Sequence, residues 1–242
     1  MFNRYKALPS STATFFALAL LAFSAVFFMA SNTAVAQTQI NPHPTFGETE
    51  AKVNVIVFTD YNCPFCKRLE PHLQQLLKNY PDIKVTNVIV PLRQGNVAGS
   101  PVNSAQFALN VWLNQPDAFA ETHQLLYAKN GMHNALSLQQ IATKTGTQDA
   151  LADPTMAQEI IDMNMEMFRD IGLRGTPSLI IDQQLIPGYV EYDVIADVVE
   201  KALAAHANRA NQYTILGAIK RRPHGLFFAP SVWCEPAGDQ GK

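Results

Sequence analysis

The order of elements in this 242-residue chain predicts an α/β fold in two halves, with a helical insertion between them. Three observations predict it. An apolar, β-branched run at Val53–Phe58 leads into two cysteines, Cys63 and Cys66, at the head of a helical pattern. A long stretch from Ser100 to Ile171 then has helical spacing without a strand-like run. Two short strand-like segments and a last helical pattern follow.

Composition sets the limits. An apolar fraction of 48% and a charged fraction of 16% fit a globular protein with a proper core. A net charge of −2 gives no electrostatic reason to expect nucleic acid as a partner. Three cysteines are too few for a disulfide scaffold, and a pair spaced C-x-x-C points to redox or metal chemistry.

Residues 1–36 read as a signal peptide. Arg4 and Lys6 precede an uncharged apolar stretch, and Ala34-Val35-Ala36 supplies the small-x-small pattern, so cleavage is expected after Ala36. The other reading is an uncleaved anchor, for which the stretch is a little short. Removing these residues takes the basic side chains from 18 to 16, against 20 acidic ones. Export places the cysteines in an oxidising compartment, expected to be a bacterial periplasm.

Residues 37–52 form a short polar lead in which Pro42 and Pro44 oppose regular pairing. Val53–Phe58 is a buried strand. Phe65, Leu69, Leu73, Leu76 and Leu77 fall at helical spacing from Pro64 to Tyr80, with a kink expected at Pro71. Ile83–Val90 is a second strand, parallel to the first by a right-handed crossover. The inserted helices are expected at 104–113, 117–129, 137–144 and 155–170, separated by Pro- and Gly-bearing turns. Ser178–Ile181 and Gln184–Ile186 form a hairpin, and a final helix runs from Tyr192 to about Ala207. Residues 208–242 are expected to be a flexible tail, with a short strand or a helix turn left open at Tyr213–Ile219.

The cysteine pair carries the chemistry. Unsatisfied N–H groups and the dipole at a helix N-terminus favour a thiolate on Cys63, and a thiolate is the form that attacks disulfides. Cys63 is the expected attacking thiol and Cys66, one turn in, the resolving one. The alternatives are a zinc site and a permanent bridge. Cys234 and His72 are poorly spaced as zinc ligands, and so small a loop gains little from a bridge.

Val57-Phe58-Thr59-Asp60-Tyr61-Asn62-Cys63-Pro64-Phe65-Cys66-Lys67, with Gly175-Thr176-Pro177-Ser178 further on, resembles the bacterial Dsb thiol–disulfide oxidoreductases. The similarity is to the DsbA-like group in the insertion. It is to the DsbC and DsbG catalytic domains in the leading strand and in Leu185-Ile186-Pro187-Gly188-Tyr189. It covers Val53 to Ala207 and implies a thioredoxin-like fold, 53–99 and 172–207, around a helical insertion at 100–171. It further implies no cofactor beyond a redox-active Cys63–Cys66 disulfide, and no metal. Thr176-Pro177 matches the family's cis-proline, whose neighbouring backbone would pair with an extended substrate. The plainer alternative is a trans proline starting a strand.

Two departures from the family follow. The family's strong oxidants carry a His at the second position between the cysteines. Phe65 can supply neither charge nor hydrogen bond, so the Cys63 pKa is expected to fall less and the potential to be intermediate. Many thioredoxin-like enzymes also bury an acid six residues before the first cysteine, where this chain has Val57. Asp60 or water is left to handle the Cys66 proton, although Asp60 also reads as a helix cap.

Lys67 and Arg68 read as solvated. Met156, Met163, Met165 and Met167 suit adaptable packing or a substrate groove; thioether binding of copper(I) is the sharper alternative. His43, His123, His133, His206 and His224 have no ligand spacing, and Cys234 has no assigned role. The expectation is a monomeric periplasmic oxidase acting on exported proteins with cysteines and recycled by a membrane redox partner. A reductase or isomerase comes second, because family members of that kind usually pair through an N-terminal domain that residues 37–52 cannot form. A copper-handling or chaperone protein using the same cysteines is the rival from another class.

Overall fold

The computed structural model describes residues 41–220, with side chains to Asn211. The stretch read as a signal peptide, Cys234, His224 and the last residues of the tail lie outside the described residues.

The elements are β1 (Thr45–Gly47), β2 (Val53–Thr59), α1 (Pro64–Asn79) and β3 (Ile83–Ile89), then α2 (Ser104–Asn114), α3 (Phe119–Ala128), α4 (Ala135–Thr145) and α5 (Thr155–Asp170), then β4 (Ser178–Ile181), β5 (Gln184–Pro187) and α6 (Tyr192–Lys220). The sheet order is β1-β3-β2-β4-β5. Only β2 and β3 are parallel, in register from Val53 opposite Ile83 to Thr59 opposite Ile89. The remaining pairs are antiparallel.

Alternation along β2 divides the core. Val53, Val55 and Val57 point to one face, with Leu69, Leu73 and Leu76 of α1 and Ile195 and Val199 of α6. Phe58 points to the other and meets Val88, Phe168 and Leu173. The helical block has its own core of Phe107, Leu109, Phe119, Leu126, Leu138 and Ile161, and this cluster also takes in Tyr61, Cys63 and Cys66. The cysteine turn is therefore packed by the insertion as well as by the sheet.

Two expectations change. Residues 45–47 form β1 in spite of Pro42 and Pro44, because both prolines precede the paired residues and Pro44 contributes only its carbonyl, which accepts the Asn87 amide at 2.8 Å. Helix α6 continues to Lys220, past Ala207 where the tail was expected to begin. The alanines at 204, 205, 207 and 210 are strong helix formers, and no proline follows before Pro223.

Candidate functional site

Cys63 is the N-cap of α1, with extended backbone at φ −84° and ψ 121°, and Pro64 occupies the first helical position, which needs no N–H. The Cys63 amide donates to the Asp60 carbonyl at 2.9 Å. Both cysteines are unbridged and buried, Cys63 4% and Cys66 2% exposed. The Cys63 thiol donates to the Thr176 carbonyl at 3.2 Å, in the segment leading into β4, where Thr176–Pro177 is a cis peptide bond. The Pro177 carbonyl in turn accepts the Gly188 amide at 2.9 Å, which ties this loop to β5.

The electrostatics separate the two sulfurs. Hydrogen bonding from the Cys66 thiol, with help from the Cys66 and Phe65 backbone and the Thr176 side chain, lowers the Cys63 pKa from 9.0 to about 5 against the opposing effect of burial. Burial, and the Cys63 sulfur beside it, hold the Cys66 thiol well above its ordinary range. One sulfur is thus a thiolate at neutral pH and the other a thiol that donates to it.

The Phe65 side chain projects outward, the residue being 52% exposed, and only its backbone takes part in this bonding. The Arg68 guanidinium lies 4.4 Å from the Tyr189 ring centre and 5.8 Å from that of Phe65, and reaches Glu191 at 3.9 Å. These side chains make an aromatic rim beside Cys63.

Asp60 does not cap α1. Its carboxylate accepts the Asn62 amide at 2.8 Å and the Arg93 amide at 2.9 Å, closing a local turn and fastening the loop after β3. Burial raises its pKa against those two bonds. Lys67 is not simply solvated: its ammonium donates to the carbonyls of Lys129 and, at 2.9 Å, Gly131 just beyond α3. Met156, Met163 and Met167 lie exposed along α5. Among the described residues, no three of His, Cys, Asp and Glu gather as a metal centre would require.

Several residues had no sequence assignment. Asn62, buried beside Cys63, accepts the His133 amide at 2.8 Å and donates to Ser104 and Gln94, both at 3.1 Å. An amide N–H can only donate, so the His133 contact fixes which way the Asn62 side chain faces. His133 is buried, which lowers its pKa to about 4, and its Nε2–H donates to the Leu126 carbonyl at 3.0 Å. Tyr61 meets Nδ1 of buried His123 at 2.8 Å, while Nε2 faces Glu70 at 3.3 Å. Thr59 and Tyr127 bring their hydroxyl oxygens to 2.5 Å. Glu70 had left a trace in the sequence: it stands four residues after Cys66, on the face of α1 that carries Leu69 and Leu73.

A thioredoxin family model matches residues 38–201. The chain is 26% identical over 187 residues to disulfide bond formation protein D of Bacillus subtilis, covering 71% of this chain and 82% of that protein. A periplasmic thioredoxin-like protein from Salmonella enterica serovar Typhimurium superposes with a TM-score of 0.62 at 35% identity, over 68% of this chain and 92% of the other. The catalytic domain of Proteus mirabilis ScsC gives 0.62 at 34% identity, over 67% and 90%. With the cysteine pair at a helix head facing a cis-proline loop, these matches place the chain in the thioredoxin family, among its DsbA-like thiol–disulfide oxidoreductases.

Proposed function

We propose that the protein is an exported, periplasmic oxidase that passes its Cys63–Cys66 disulfide to dithiols of other exported proteins. Cys63 forms the mixed disulfide, Cys66 resolves it, and a membrane redox partner reoxidises the pair. Thr176 and Pro177 present the edge along which an extended substrate segment lies, and Phe65 with Tyr189 lines the approach.

The observation that carries the reading is the Cys63 pKa of about 5. A stabilised thiolate stabilises the reduced pair, so the disulfide becomes a better oxidant than that of an ordinary dithiol. The Phe65 side chain adds nothing to that stabilisation, which keeps the potential below that of the family's strongest oxidants. The names of the relatives support the direction and the compartment: one is a disulfide bond formation protein and another is periplasmic.

Equilibration with glutathione buffers tests this, together with oxidation of a reduced dithiol peptide, insulin reduction and refolding of scrambled ribonuclease. An oxidase gives a potential above about −200 mV, toward the −120 mV of a strong oxidant, and turns over the peptide. A lower potential with insulin reduction, or ribonuclease rescue without peptide oxidation, would replace it with a reductase or isomerase.

A further inference from the structure

Among the described residues, no carboxylate bonds the Cys66 thiol. Val57 is buried at the strand position where an acid would stand, and both Asp60 oxygens are engaged by backbone amides. Two groups favour the Cys66 thiolate, the Thr59 hydroxyl at the end of β2 and the Asp60 backbone that follows it. Thr59 Oγ1 lies 2.5 Å from the Tyr127 hydroxyl, and both groups are buried. Tyr127 belongs to α3 of the helical block, and its ring is held against Tyr61 at 4.7 Å and edge-on to His123 at 4.9 Å. Among the described residues its hydroxyl bonds only Thr59.

Hydroxyl geometry gives this pair a direction. Each hydroxyl has one proton to donate. If Thr59 donates to sulfur, its oxygen is free to accept from Tyr127, and Tyr127 has no other acceptor to serve. The chain Tyr127 to Thr59 to Cys66 is complete when Cys66 carries negative charge. The other groups around it are Cys63 at the head of α1, Asp60 at the end of β2, Glu70 on α1, Tyr61 in the turn and His123 on α3. The thiolate of Cys63 opposes a second charge on Cys66, and a Glu70 carboxylate would do the same. Neutral donors can stabilise that charge without adding to the repulsion.

We infer that Thr59 and Tyr127 form a hydroxyl relay that stabilises the Cys66 thiolate, so that the inserted helical block takes part in the exchange chemistry through Tyr127. Thr59 touches the reacting sulfur, and Tyr127 is a positioning residue acting through it. The inference rests on the exchange reading above. When a substrate thiolate attacks Cys63 of the disulfide, the new bond joins substrate sulfur to Cys63. The Cys63–Cys66 bond breaks, and its electron pair leaves on Cys66. A second substrate thiolate then attacks the first substrate sulfur and releases the Cys63 thiolate. The substrate has lost two electrons, and Cys66 takes up, through solvent, the proton that the second thiol gave up. In reverse, Cys66 attacks the mixed disulfide as the same thiolate, so the relay lowers both barriers.

The test uses the reduced full chain reacting with oxidised glutathione, acid-quenched and followed by mass spectrometry. The glutathione adduct on Cys63 builds up and then resolves. Tyr127→Phe and Thr59→Val keep the side-chain shapes, and Thr59→Ser keeps the hydroxyl. We expect each of the first two to slow resolution about tenfold at a given pH, displacing the rate–pH line by about one unit. Thr59→Ser stays on the wild-type line, and alkylation of Cys63 is unchanged throughout. A packing role alone lowers the melting temperature without moving the line, and superimposable lines would overturn the inference. Failure of the oxidase reading shows separately, because wild-type protein would then not oxidise the peptide while the resolution step remains measurable.

Discussion

The Cys63 sulfur and the Thr176 carbonyl oxygen lie 3.2 Å apart, and the bond between them exists only while Cys63 holds its proton. A thiolate has nothing to donate, so ionisation frees the carbonyl for the backbone N–H of an incoming strand. If substrate docks at this carbonyl, as proposed, the event that activates the nucleophile also opens the docking site. Alkylation of the reduced protein by iodoacetamide should show a midpoint near pH 5, from Cys63 alone. A midpoint near that of free cysteine would dismiss this coupling.

The same shift makes stability depend on pH in the reduced protein. Folding lowers the Cys63 pKa from 9.0 to about 5, so the stabilisation is complete above pH 9, partial at neutrality and lost as pH falls through 5. At pH 7 it amounts to roughly 2–3 kcal/mol. The disulfide form lacks this contribution. Melting of both forms across this range should show the reduced protein gaining on the oxidised one as pH rises; a constant difference would contradict the shift.

Phe65 sets a ceiling on oxidising power. Phe65→His puts a donor and a charge within reach of the Cys63 thiolate from an exposed position where the ring already fits. The expected result is a Cys63 pKa lower by about one unit and a potential raised by roughly 30 mV, measured against glutathione.

Asn62 joins three segments, the loops at Gln94 and His133 and the first residue of α2. Asn62→Ala leaves the buried His133 amide without a partner and should cost roughly 2 kcal/mol in urea denaturation. Asn62→Asp restores the acceptor but not the donors and should recover part of that loss.

His123 and Glu70 form a buried pair between the helical block and α1. Removing one partner leaves the other with one remaining bond, His123 to Tyr61 or Glu70 to Gln74, so His123→Phe or Glu70→Leu alone should destabilise by about 1–3 kcal/mol. The double variant should lose less than the two singles summed, as thermal or chemical denaturation would show. Simple additivity would mean the pair is not coupled.

Much of this protein was legible in its order of residues. The β-branched run of β2, the spacing of Leu69, Leu73 and Leu76, the hairpin at 178–187 and the Cys-Pro-Phe-Cys turn are local patterns, and local backbone preferences determine them. β1 escaped notice because three residues are too few for a period, and its pairing with β3 is a long-range event. The end of α6 was misplaced because a polar, alanine-rich stretch gives no burial signal, only propensity.

By itself, the sequence determined the strand-to-helix junction and the reactive sulfur at its head, since a helix N-terminus favours charge wherever it stands. Only the tertiary structure decided what surrounds that sulfur. Thr176, His133, His123 and Tyr127 reach the cysteine turn from distant parts of the chain, and their polar groups have meaning only once burial removes water and leaves them partners in that turn.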